Sequence, residues 1–556
     1  MKTCQVSRKD FIVPLCNTAC PAGVDVPRYI RAVRQGRYHD AVAVLRERLP
    51  LPTVCADACF APCEDACAYK QLGDPLAIRA LKRAAVDKGD DSWLENKKQA
   101  PSTGKTVAVV GAGPAGLTTA YYLATKGHGV TLYDAWPEPG GTLRFGVPQF
   151  RLPKARLARD IAHILDLGVV FKGNTRIGGD MDFSALTADH GAVFLGCGAM
   201  ASIRSDLTGW GQGDGVILGW DFLKAVSQGR EFDLGDGVAV LGGGNVAVDA
   251  ARTAVRLGVP KVSLVYRRTR NEMPAHPDEI AAAEAEGVSI LENWAPDKVI
   301  CDDKATDPSV TGLALISCTS EGDGGRECRL ILDEDITTRV DANTIIVAIG
   351  QKADLDFLSD ETGLLSSPDE LKIDPDTLET GIPGVFAGGD VVTGPDSIVN
   401  AIAQGRKAAE AMDRYLGGSG DVSETLAPAE ETVDVAPLST APVPRQAMPQ
   451  LQPWQCRASF DQAETGLSPE QVEIEAGRCL DCDARKFEVV VNPENCKECG
   501  YCRDACQVGT FGPAEGFNQK GYRPMAVNSS DWCVGCLKCF YACPDFAIDI
   551  IEKHES

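Results

Sequence analysis

The 556-residue sequence has no apolar run as long as the ~18 residues that a membrane-spanning helix needs, and its first residues lack the apolar core of a secretory signal. Basic residues are also few, because 55 Lys and Arg stand against 78 Asp and Glu, a net charge of −23. The first two absences predict a cytoplasmic protein without transmembrane helices. The charge argues against nucleic acid and anionic membranes as partners. The length predicts about three or four domains.

Cysteine, in contrast, is abundant. The sequence holds 22 cysteines, and all but Cys197, Cys301, Cys318 and Cys328 lie towards its two ends. In a chain without a secretory signal, clustered cysteines at C-x-x-C spacing favour metal binding over disulfides. Cys197 ends a buried apolar strand, so we interpret it as a packing residue.

The stretch KTVAVVGAGPAGLTTAYYL (105–123) predicts a dinucleotide-binding turn. A short apolar strand leads through glycines at G-x-G-x-x-G spacing into a helix, and Asp134 follows the next strand. The first glycine permits the tight turn, the second admits a pyrophosphate, and the third lets the helix pack on the strand. The acid is placed to hold a ribose hydroxyl. The predicted turn residues are Gly111, Gly113, Pro114, Ala115 and Gly116.

Two later stretches are predicted to complete this first site. The first, PEPGGTLRFGVPQFRLPK, combines a close backbone approach with basic side chains that suit a diphosphate. The second, from GVFAGGDVV (384–392) onwards, offers an acid for a flavin ribityl hydroxyl and a helix whose positive end would face the flavin ring. The residues predicted to take part are Gly141, Arg144, Arg151, Lys154, Gly389, Asp390, Ser397, Ile398 and Val399.

A second copy of the motif, VAVLGGGNVAVDAA (238–251), predicts a second bound dinucleotide. The strand after it ends in Arg267 and Arg268 rather than in an acid. Guanidinium groups there would pair with a 2′-phosphate, which predicts NADP(H) rather than NAD(H). The alternative is that these arginines are only solvated. A further buried strand, 344–350, ends in glycine, and the other predicted binding residues are Gly242, Gly243, Gly244, Asn245, Val246, Ala348, Ile349 and Gly350.

The last cysteines have the spacing C-x2-C-x2-C-x3-C twice, which is typical of a bacterial two-cluster ferredoxin. In that pattern each fourth cysteine serves the other cluster. One predicted 4Fe–4S set is therefore Cys496, Cys499, Cys502 and Cys543, and the other is Cys506, Cys533, Cys536 and Cys539. Zinc is the alternative, but it would not need eight thiolates in this order.

The N-terminal cysteines lie in a stretch of helical periodicity, so the sequence predicts a small helical domain with cysteines mostly in its loops. Iron–sulfur ligation requires converging thiolates and is the interpretation we favour over buried structural cysteines. The six residues are Cys16, Cys20, Cys55, Cys59, Cys63 and Cys67.

Several motifs together resemble the small (beta) subunit of glutamate synthase and its relatives. These relatives are the electron-input half of dihydropyrimidine dehydrogenase and the large subunit of NADH-dependent ferredoxin:NADP oxidoreductase. The resemblance covers residues 10 to 415 and rests on CNTACPAGVDVPRYI, CFAPCEDAC, GAGPAGL, GVPQFRLPK, GGGNVAVD, YRRTRNEMPA and GVFAGGDVVTGP. It implies FAD in the first fold, NADP(H) in the second and two N-terminal 4Fe–4S clusters. It also implies FAD contacts for Asp134, Thr142 and Arg151, and NADP contacts for Gly243 to Val246, Arg267 and Arg268.

The predicted fold class is α/β. It has two interleaved Rossmann-like domains for FAD and NADP, an N-terminal helical iron–sulfur domain and a C-terminal α+β ferredoxin-like domain with two 4Fe–4S clusters. The expected boundaries are 1–100 for the helical domain, 101–235 and 344–417 for the FAD domain, and 236–343 for the NADP domain. A mobile linker, 418–467, is expected before the ferredoxin-like domain at 468–556.

One motif is displaced relative to the family. The piece that usually precedes Cys16 and Cys20 is found here as EAGRCLDC, residues 475–482. We infer that the C-terminal segment folds back, so that Cys479 and Cys482 join the N-terminal cysteines. The hypothesis groups Cys479, Cys482, Cys16 and Cys67 for one cluster, and Cys20, Cys55, Cys59 and Cys63 for the other. Four clusters, about sixteen iron atoms, are expected in all.

These features predict an NADPH oxidoreductase in which electrons pass through FAD to 4Fe–4S clusters and on to a protein or small acceptor, such as ferredoxin, a partner catalytic subunit or a ferric chelate. No catalytic side chain is required, because the cofactors carry the chemistry. The alternatives are an electron-transfer subunit without independent activity, which docks through its ferredoxin domain, and a reverse ferredoxin:NADP reductase. A redox partner or large catalytic subunit is expected, as is a homo- or hetero-oligomer.

Overall fold

The computed structural model describes residues 4–211, 214–302, 309–321, 329–358, 364–367, 370–435, 442–531 and 533–553. Cys328 lies outside these ranges. Within them, no helix is both long enough and apolar enough to cross a membrane.

The N-terminal domain is helical, as predicted. Its helices enclose a core in which Tyr29, Leu45 and Leu81 are fully buried. Proline stands in the first turn of three of them, where its missing N–H costs nothing. The elements are β1 (Cys4–Ser7), α1 (Leu15–Thr18), α2 (Val26–Arg34), α3 (Tyr38–Arg46), α4 (Pro52–Ala58), α5 (Pro62–Asp65) and α6 (Ile78–Lys88).

The first nucleotide fold begins with a strand whose last four residues are apolar and buried, and this strand leads through the glycine turn into a buried helix. Four of its strands are parallel, which is typical of sheets covered by helices on both faces. The elements are β2 (Thr106–Val110), α7 (Pro114–Thr125), β3 (Gly129–Tyr133), α8 (Thr142–Phe145), α9 (Lys154–Leu165), β4 (Val170–Lys172), α10 (Phe183–Asp189), β5 (Ala192–Leu195) and β6 (Ala201–Ser202).

The second nucleotide fold contains a five-stranded parallel sheet with the order β10-β9-β8-β14-β7, and the chain forms an antiparallel sheet, β11-β12-β13, between β10 and β14. The elements are β7 (Val216–Leu218), α11 (Gly219–Ser227), β8 (Gly237–Leu241), α12 (Asn245–Arg256), β9 (Lys261–Tyr266), α13 (Pro277–Ala285), β10 (Ser289–Glu292), β11 (Trp294–Cys301), β12 (Val310–Glu321), β13 (Arg329–Asp341) and β14 (Thr344–Val347).

The chain then returns to the first fold, and β18 completes its sheet in the order β18-β5-β2-β3-β4. The domains are therefore interleaved, as predicted, although β14 lies in the second sheet rather than the first. Its buried residues pair with both β8 and β7. The elements are β15 (Gln351–Lys352), β16 (Leu365–Ser367), β17 (Glu370–Leu371), β18 (Val385–Ala387), α14 (Asp390–Thr393) and α15 (Ile398–Tyr415).

The ferredoxin-like fold is built from two antiparallel strand pairs, β20 with β23 and β21 with β22, and two short helices. Two helices and a strand precede it. The elements are β19 (Thr432–Val435), α16 (Pro453–Ala458), α17 (Pro469–Gly477), β20 (Lys486–Val491), α18 (Tyr501–Ala505), β21 (Phe511–Pro513), β22 (Met525–Val527), α19 (Lys538–Ala542) and β23 (Ile548–Lys553).

Parts of the stretch expected to be a mobile linker, which the structure describes at 418–435 and 442–467, contact the N-terminal region of the chain. Its strand β19 pairs with β1 at the other end of the chain. Arg28 donates to the carbonyl oxygens of Ala427 and Pro428, at 3.4 and 2.9 Å. The segment is extended because its backbone and acids bind the arginines of the N-terminal domain.

Residues 468–485 also pack on the N-terminal domain, so the ferredoxin-like fold begins at β20 rather than at 468. Arg31, whose side chain is 1% exposed, donates to both carboxylate oxygens of Asp483 at 2.8 Å and to Glu430 at 2.6 Å. Arg34 pairs with Asp481 at 3.0 Å. These ion pairs hold the segment that carries Cys479 and Cys482 against α2.

Candidate cofactor sites

An open cleft lies at the carboxyl ends of β2, β3 and β5. Ligands bind at this edge in parallel α/β folds. The residues predicted for the first nucleotide that line the cleft are Gly111, Gly113, Pro114, Ala115, Asp134, Gly141, Thr142, Gly389, Asp390, Ser397 and Ile398. Sequence reasoning did not single out other lining residues, among them Trp136, Arg176 and Met200. Nothing in their local pattern marks them.

The glycines of the first turn have different surroundings. A Cβ at Gly116 would lie 1.9 Å from the carbonyl oxygen of Gly111, so this glycine permits the close packing of helix on turn. Gly111 itself has φ +97°, which favours glycine. A Cβ at Gly113 would meet nothing within 4 Å, because this residue faces the open cleft. The free space lies where the motif admits a pyrophosphate.

The acid at the end of β3 is already bonded to the turn. Asp134 accepts hydrogen bonds from the backbone N–H groups of Ala112 and Trp136, at 2.7 and 2.8 Å. Burial raises the pKa of this carboxyl, and the two hydrogen bonds act against that shift. The side chain therefore fixes the glycine turn as well as lining the cleft.

Three predicted basic residues do not line the cleft. Arg151 is buried and pairs with Asp249 at 2.8 Å and with Glu279 at 2.9 Å, both on the second nucleotide fold. Lys154 donates to backbone carbonyl oxygens, and Arg144 pairs with an exposed glutamate. Arg151 therefore joins the two folds, and the structure does not bring it to the flavin position that the sequence predicts.

Asp390 and the start of α15 form the opposite wall of the cleft. Burial raises the pKa of Asp390 to about 6. Ser397 caps α15 by accepting a hydrogen bond from the N–H of Asn400 at 3.3 Å. Because α15 has 18 residues, its N-terminus presents unpaired N–H groups and a positive dipole end beside the cleft.

The second glycine turn repeats this design between β8 and α12. A Cβ at Gly242 would lie 2.2 Å from the carbonyl oxygen of Ala348, which places the predicted residues Ala348, Ile349 and Gly350 beside the turn. A Cβ at Gly244 would meet nothing within 4 Å. Asn245 accepts a hydrogen bond from the N–H of His276 at 3.1 Å. This bond connects the loop EMPAH, residues 272–276, to the turn.

The two predicted 2′-phosphate ligands follow β9, next to β8. Arg267 is exposed, whereas Arg268 is 6% exposed with its Nε atom 4.0 Å from Glu272. Arg270 is already paired with Glu284 at 2.5 Å. Of the three arginines here, Arg267 is the most accessible to a phosphate.

The C-terminal cysteines surround two cavities of similar size. Cys496, Cys499, Cys502 and Cys543 line one of about 320 Å³. The other, of about 340 Å³, is lined by Cys506, Cys533, Cys536 and Cys539. The structure thus brings the fourth cysteine of each repeat to the other set, in the arrangement that the spacing predicts.

The N-terminal cysteines also form two groups. Cys16, Cys67, Cys479 and Cys482 line a cavity of about 390 Å³, as the fold-back hypothesis groups them. The remaining four are close enough to influence one another's ionisation: Cys20, Cys55, Cys59 and Cys63. Burial raises the pKa of Cys16, Cys55 and Cys63, a cost that bonding to iron would offset.

The cysteine groups fit iron–sulfur clusters. Three of the four sets each bring four cysteines to one pocket, which is the ligand set that a 4Fe–4S cluster needs.

Comparisons with known proteins agree with this division. Residues 105–405, more than half of the chain, match the family model described as pyridine nucleotide-disulphide oxidoreductase. The chain belongs to that family. Residues 10–93 match the 4Fe–4S domain II of dihydropyrimidine dehydrogenase, and residues 487–548 match a 4Fe–4S dicluster domain. The predicted fold class is therefore confirmed: this oxidoreductase has FAD- and NADP-binding Rossmann-like folds with 4Fe–4S domains at both ends.

Three relatives illustrate the family. The β subunit of NADP(+)-dependent formate dehydrogenase of Moorella thermoacetica is 39% identical over 75% of this chain and 62% of its own. The β subunit of NADPH-Fe(3+) oxidoreductase of Geobacter sulfurreducens is 34% identical over 84% of this chain and 75% of its own. The glutamate synthase small chain of Escherichia coli is 32% identical over 72% of this chain and 89% of its own. The last match confirms the resemblance inferred from the motifs. The chain spans less than two thirds of the first relative.

Proposed function

We propose that this oxidoreductase moves electrons from NADPH through FAD to four 4Fe–4S clusters and on to a protein or small acceptor. The proposal is supported by the order in which the cofactor sites are connected in the fold. The nucleotide cleft comes first, followed by two N-terminal cysteine sets and then by two C-terminal cysteine sets. A bound flavin supplies the exchange between the two-electron chemistry of a nicotinamide and the one-electron chemistry of the clusters.

A buried carboxylate fixes the cysteine set of Cys20, Cys55, Cys59 and Cys63 to the flavin fold. Asp160 on α9 accepts hydrogen bonds from the N–H and hydroxyl of Thr53, at 2.9 and 3.0 Å, and from the N–H of Val54. It also pairs with Arg46 at 2.7 Å. These bonds hold the start of α4, which carries Cys55, against the flavin fold.

A short turn joins the cysteine set that contains Cys16 to the set that contains Cys506. Ala68 and Tyr69 line the cavity of the Cys16 set, and Gln71, two residues on, lines that of the Cys506 set. The amide Nε2 of Gln71 donates to Oε1 of Gln507 at 3.0 Å. A single turn therefore touches both cavities, which supports direct electron transfer between them.

The cysteine set of Cys496, Cys499, Cys502 and Cys543, called the outer set here, faces solvent. Cys499 is exposed, and so are Tyr501, Tyr541 and Phe546, which neighbour its ligands along the chain. Tyr541 is 77% and Phe546 72% exposed. Such aromatic groups suit a protein partner, and two of the relatives are named as β subunits. This observation favours the second candidate, an electron-transfer subunit that acts on a catalytic partner.

An anaerobic titration tests the proposal. NADPH added to the iron-loaded, FAD-loaded protein is expected to bleach both flavin and iron–sulfur absorbance, and dithionite provides the fully reduced reference. Bleaching by dithionite but not by NADPH would contradict the proposal. A pull-down under the same conditions distinguishes the candidates, because a catalytic partner would co-purify in stoichiometric amount.

A further inference from the structure

A phenylalanine of the N-terminal domain lies in the loop between α4 and α5. This residue, Phe60, comes directly after Cys59 and three residues before Cys63. The next residue, Ala61, has φ 51° and donates its N–H to Sγ of Cys59 at 3.3 Å, so the chain turns sharply beside the ring. The loop that carries two predicted cluster ligands therefore also carries a half-buried aromatic side chain.

The ring of Phe60 stacks on the imidazole of His276, the last residue of the EMPAH loop in the second nucleotide fold. The two ring centroids are 5.0 Å apart, and the ring planes differ by 8°. The guanidinium carbon of Arg151 lies 5.8 Å from the centre of the Phe60 ring. Arg151 is itself held by two carboxylates of the second fold. Phe60 thus contacts both the EMPAH loop and the arginine that joins the two nucleotide folds.

The EMPAH loop is in turn bonded to the second glycine turn. The N–H of Ala275 donates to the carbonyl oxygen of Gly243 at 3.1 Å, and that of His276 donates to the side chain of Asn245. The imidazole Nδ1 of His276 accepts a hydrogen bond from the N–H of Asp278 at 3.3 Å, which caps α13. A displaced His276 would therefore shift the loop relative to the residues predicted to bind NADP(H).

We propose that Phe60 is a positioning residue for NADP(H), which acts by holding His276 and so fixes the EMPAH loop against the second glycine turn. The inference rests on the proposed function for the identity of the ligand. A contact that orders a loop before the ligand arrives lowers the entropic cost of binding. The second nucleotide site is then complete only when the loop of the N-terminal domain is in place.

The test is the dissociation constant of NADP⁺, measured by calorimetry on the full, iron-loaded and FAD-loaded protein. Phe60→Leu removes one ring of the stack, and His276→Asn removes the other but keeps a side chain able to cap α13. Each variant is expected to raise the dissociation constant by about 2- to 12-fold, the range that stacked aromatic pairs contribute. The rate of flavin reduction at saturating NADPH should be unchanged in Phe60→Leu, because the ring affects binding only.

Two controls separate the stack from general packing. Phe60→Tyr keeps the ring and is expected to keep the dissociation constant. Phe232→Leu removes another half-buried phenylalanine, which packs on Phe222 in the second nucleotide fold, and is expected to leave NADP⁺ binding unchanged. Equal loss of affinity in Phe60→Leu and Phe232→Leu would refute a specific role for Phe60.

The double variant tests whether Phe60 acts through the imidazole. Adding Phe60→Leu to His276→Asn should raise the dissociation constant no further, whereas multiplied effects would overturn the proposal. Unchanged affinity in either iron-replete single variant would also overturn it. If Phe60→Leu loses iron, His276→Asn decides, because its substitution lies in the other fold: weaker NADP⁺ binding supports the proposal and unchanged binding refutes it. A parent protein that binds no NADP⁺ would instead contradict the proposed function, and this inference with it.

Discussion

Removal of Arg31 should release the folded-back segment that carries Cys479 and Cys482. In Arg31→Leu, Asp483 and Glu430 lose a buried partner that binds them at 2.8 and 2.6 Å. Breaking a buried ion pair by removing one partner costs about 3–5 kcal/mol, because the other charge stays buried. Since 1.4 kcal/mol is a factor of ten, local opening should become about 100 to 4000 times more frequent.

The assay is iron release to a chelator under anaerobic conditions. If opening and closing are fast, the release rate follows the population of the open form. Four of the expected ~16 iron atoms, those of the Cys16 set, should therefore leave faster by the factor above. Arg159→Leu is the matched control, because both side chains of its ion pair with Asp91 are exposed, at 47% and 37%, and such a pair contributes less than about 1 kcal/mol.

The pH dependence gives an independent check. Burial raises the pKa of Asp483, and its bonds to Arg31 act against that shift. Without Arg31 the folded-state pKa rises further above the unfolded value, so the folded form binds the proton more tightly. The stability deficit of Arg31→Leu should be complete above the raised pKa and shrink as the pH falls through it. A release rate equal to that of the parent protein at neutral pH would refute the reasoning.

Three further predictions concern the nucleotide turns and the cysteine sets. Replacing Arg267 and Arg268 by Ala should raise KM for NADPH by about 10-fold or more and leave KM for NADH unchanged, since a charge-assisted bond contributes about 1.5–3 kcal/mol; an unchanged NADPH preference would remove the assignment. Gly113→Ala should fold normally but bind FAD weakly, whereas Gly116→Ala should lower thermal stability; tight FAD binding by the first variant would contradict the assignment of the cleft. Cys482→Ser should reduce the iron count by about four atoms, and a full count would exclude this ligand.

Local signals predicted the parts of the fold that local sequence determines. Ser468 and Gln471 form a capping box at the start of α17, a motif that depends only on residues three apart. The two glycine turns and the doubled cysteine spacing are equally local. The sequence predicts β14 as part of the first fold, whereas it lies in the second sheet, because the buried apolar residues Ile345 to Val347 suit either sheet.

Long-range pairings account for what the sequence did not predict. The motif around Arg151 resembles a flavin contact, yet the side chain pairs with Asp249, 98 residues away, across a domain boundary. No pattern in the sequence predicts that the carbonyl oxygen of Ala427 accepts a hydrogen bond from Arg28, which ties the expected linker to the N-terminal domain.

The cluster set that combines Cys16 and Cys67 with Cys479 and Cys482 has a consequence for biogenesis. The set of Cys20, Cys55, Cys59 and Cys63 is complete once the first 63 residues have emerged, but this one waits for another 415 residues after Cys67. At roughly 5–20 residues per second, the ribosome needs about 20–80 seconds for that distance. Cys16 and Cys67 must therefore stay reduced during that time, and iron delivery to this set can only follow the synthesis of Cys482.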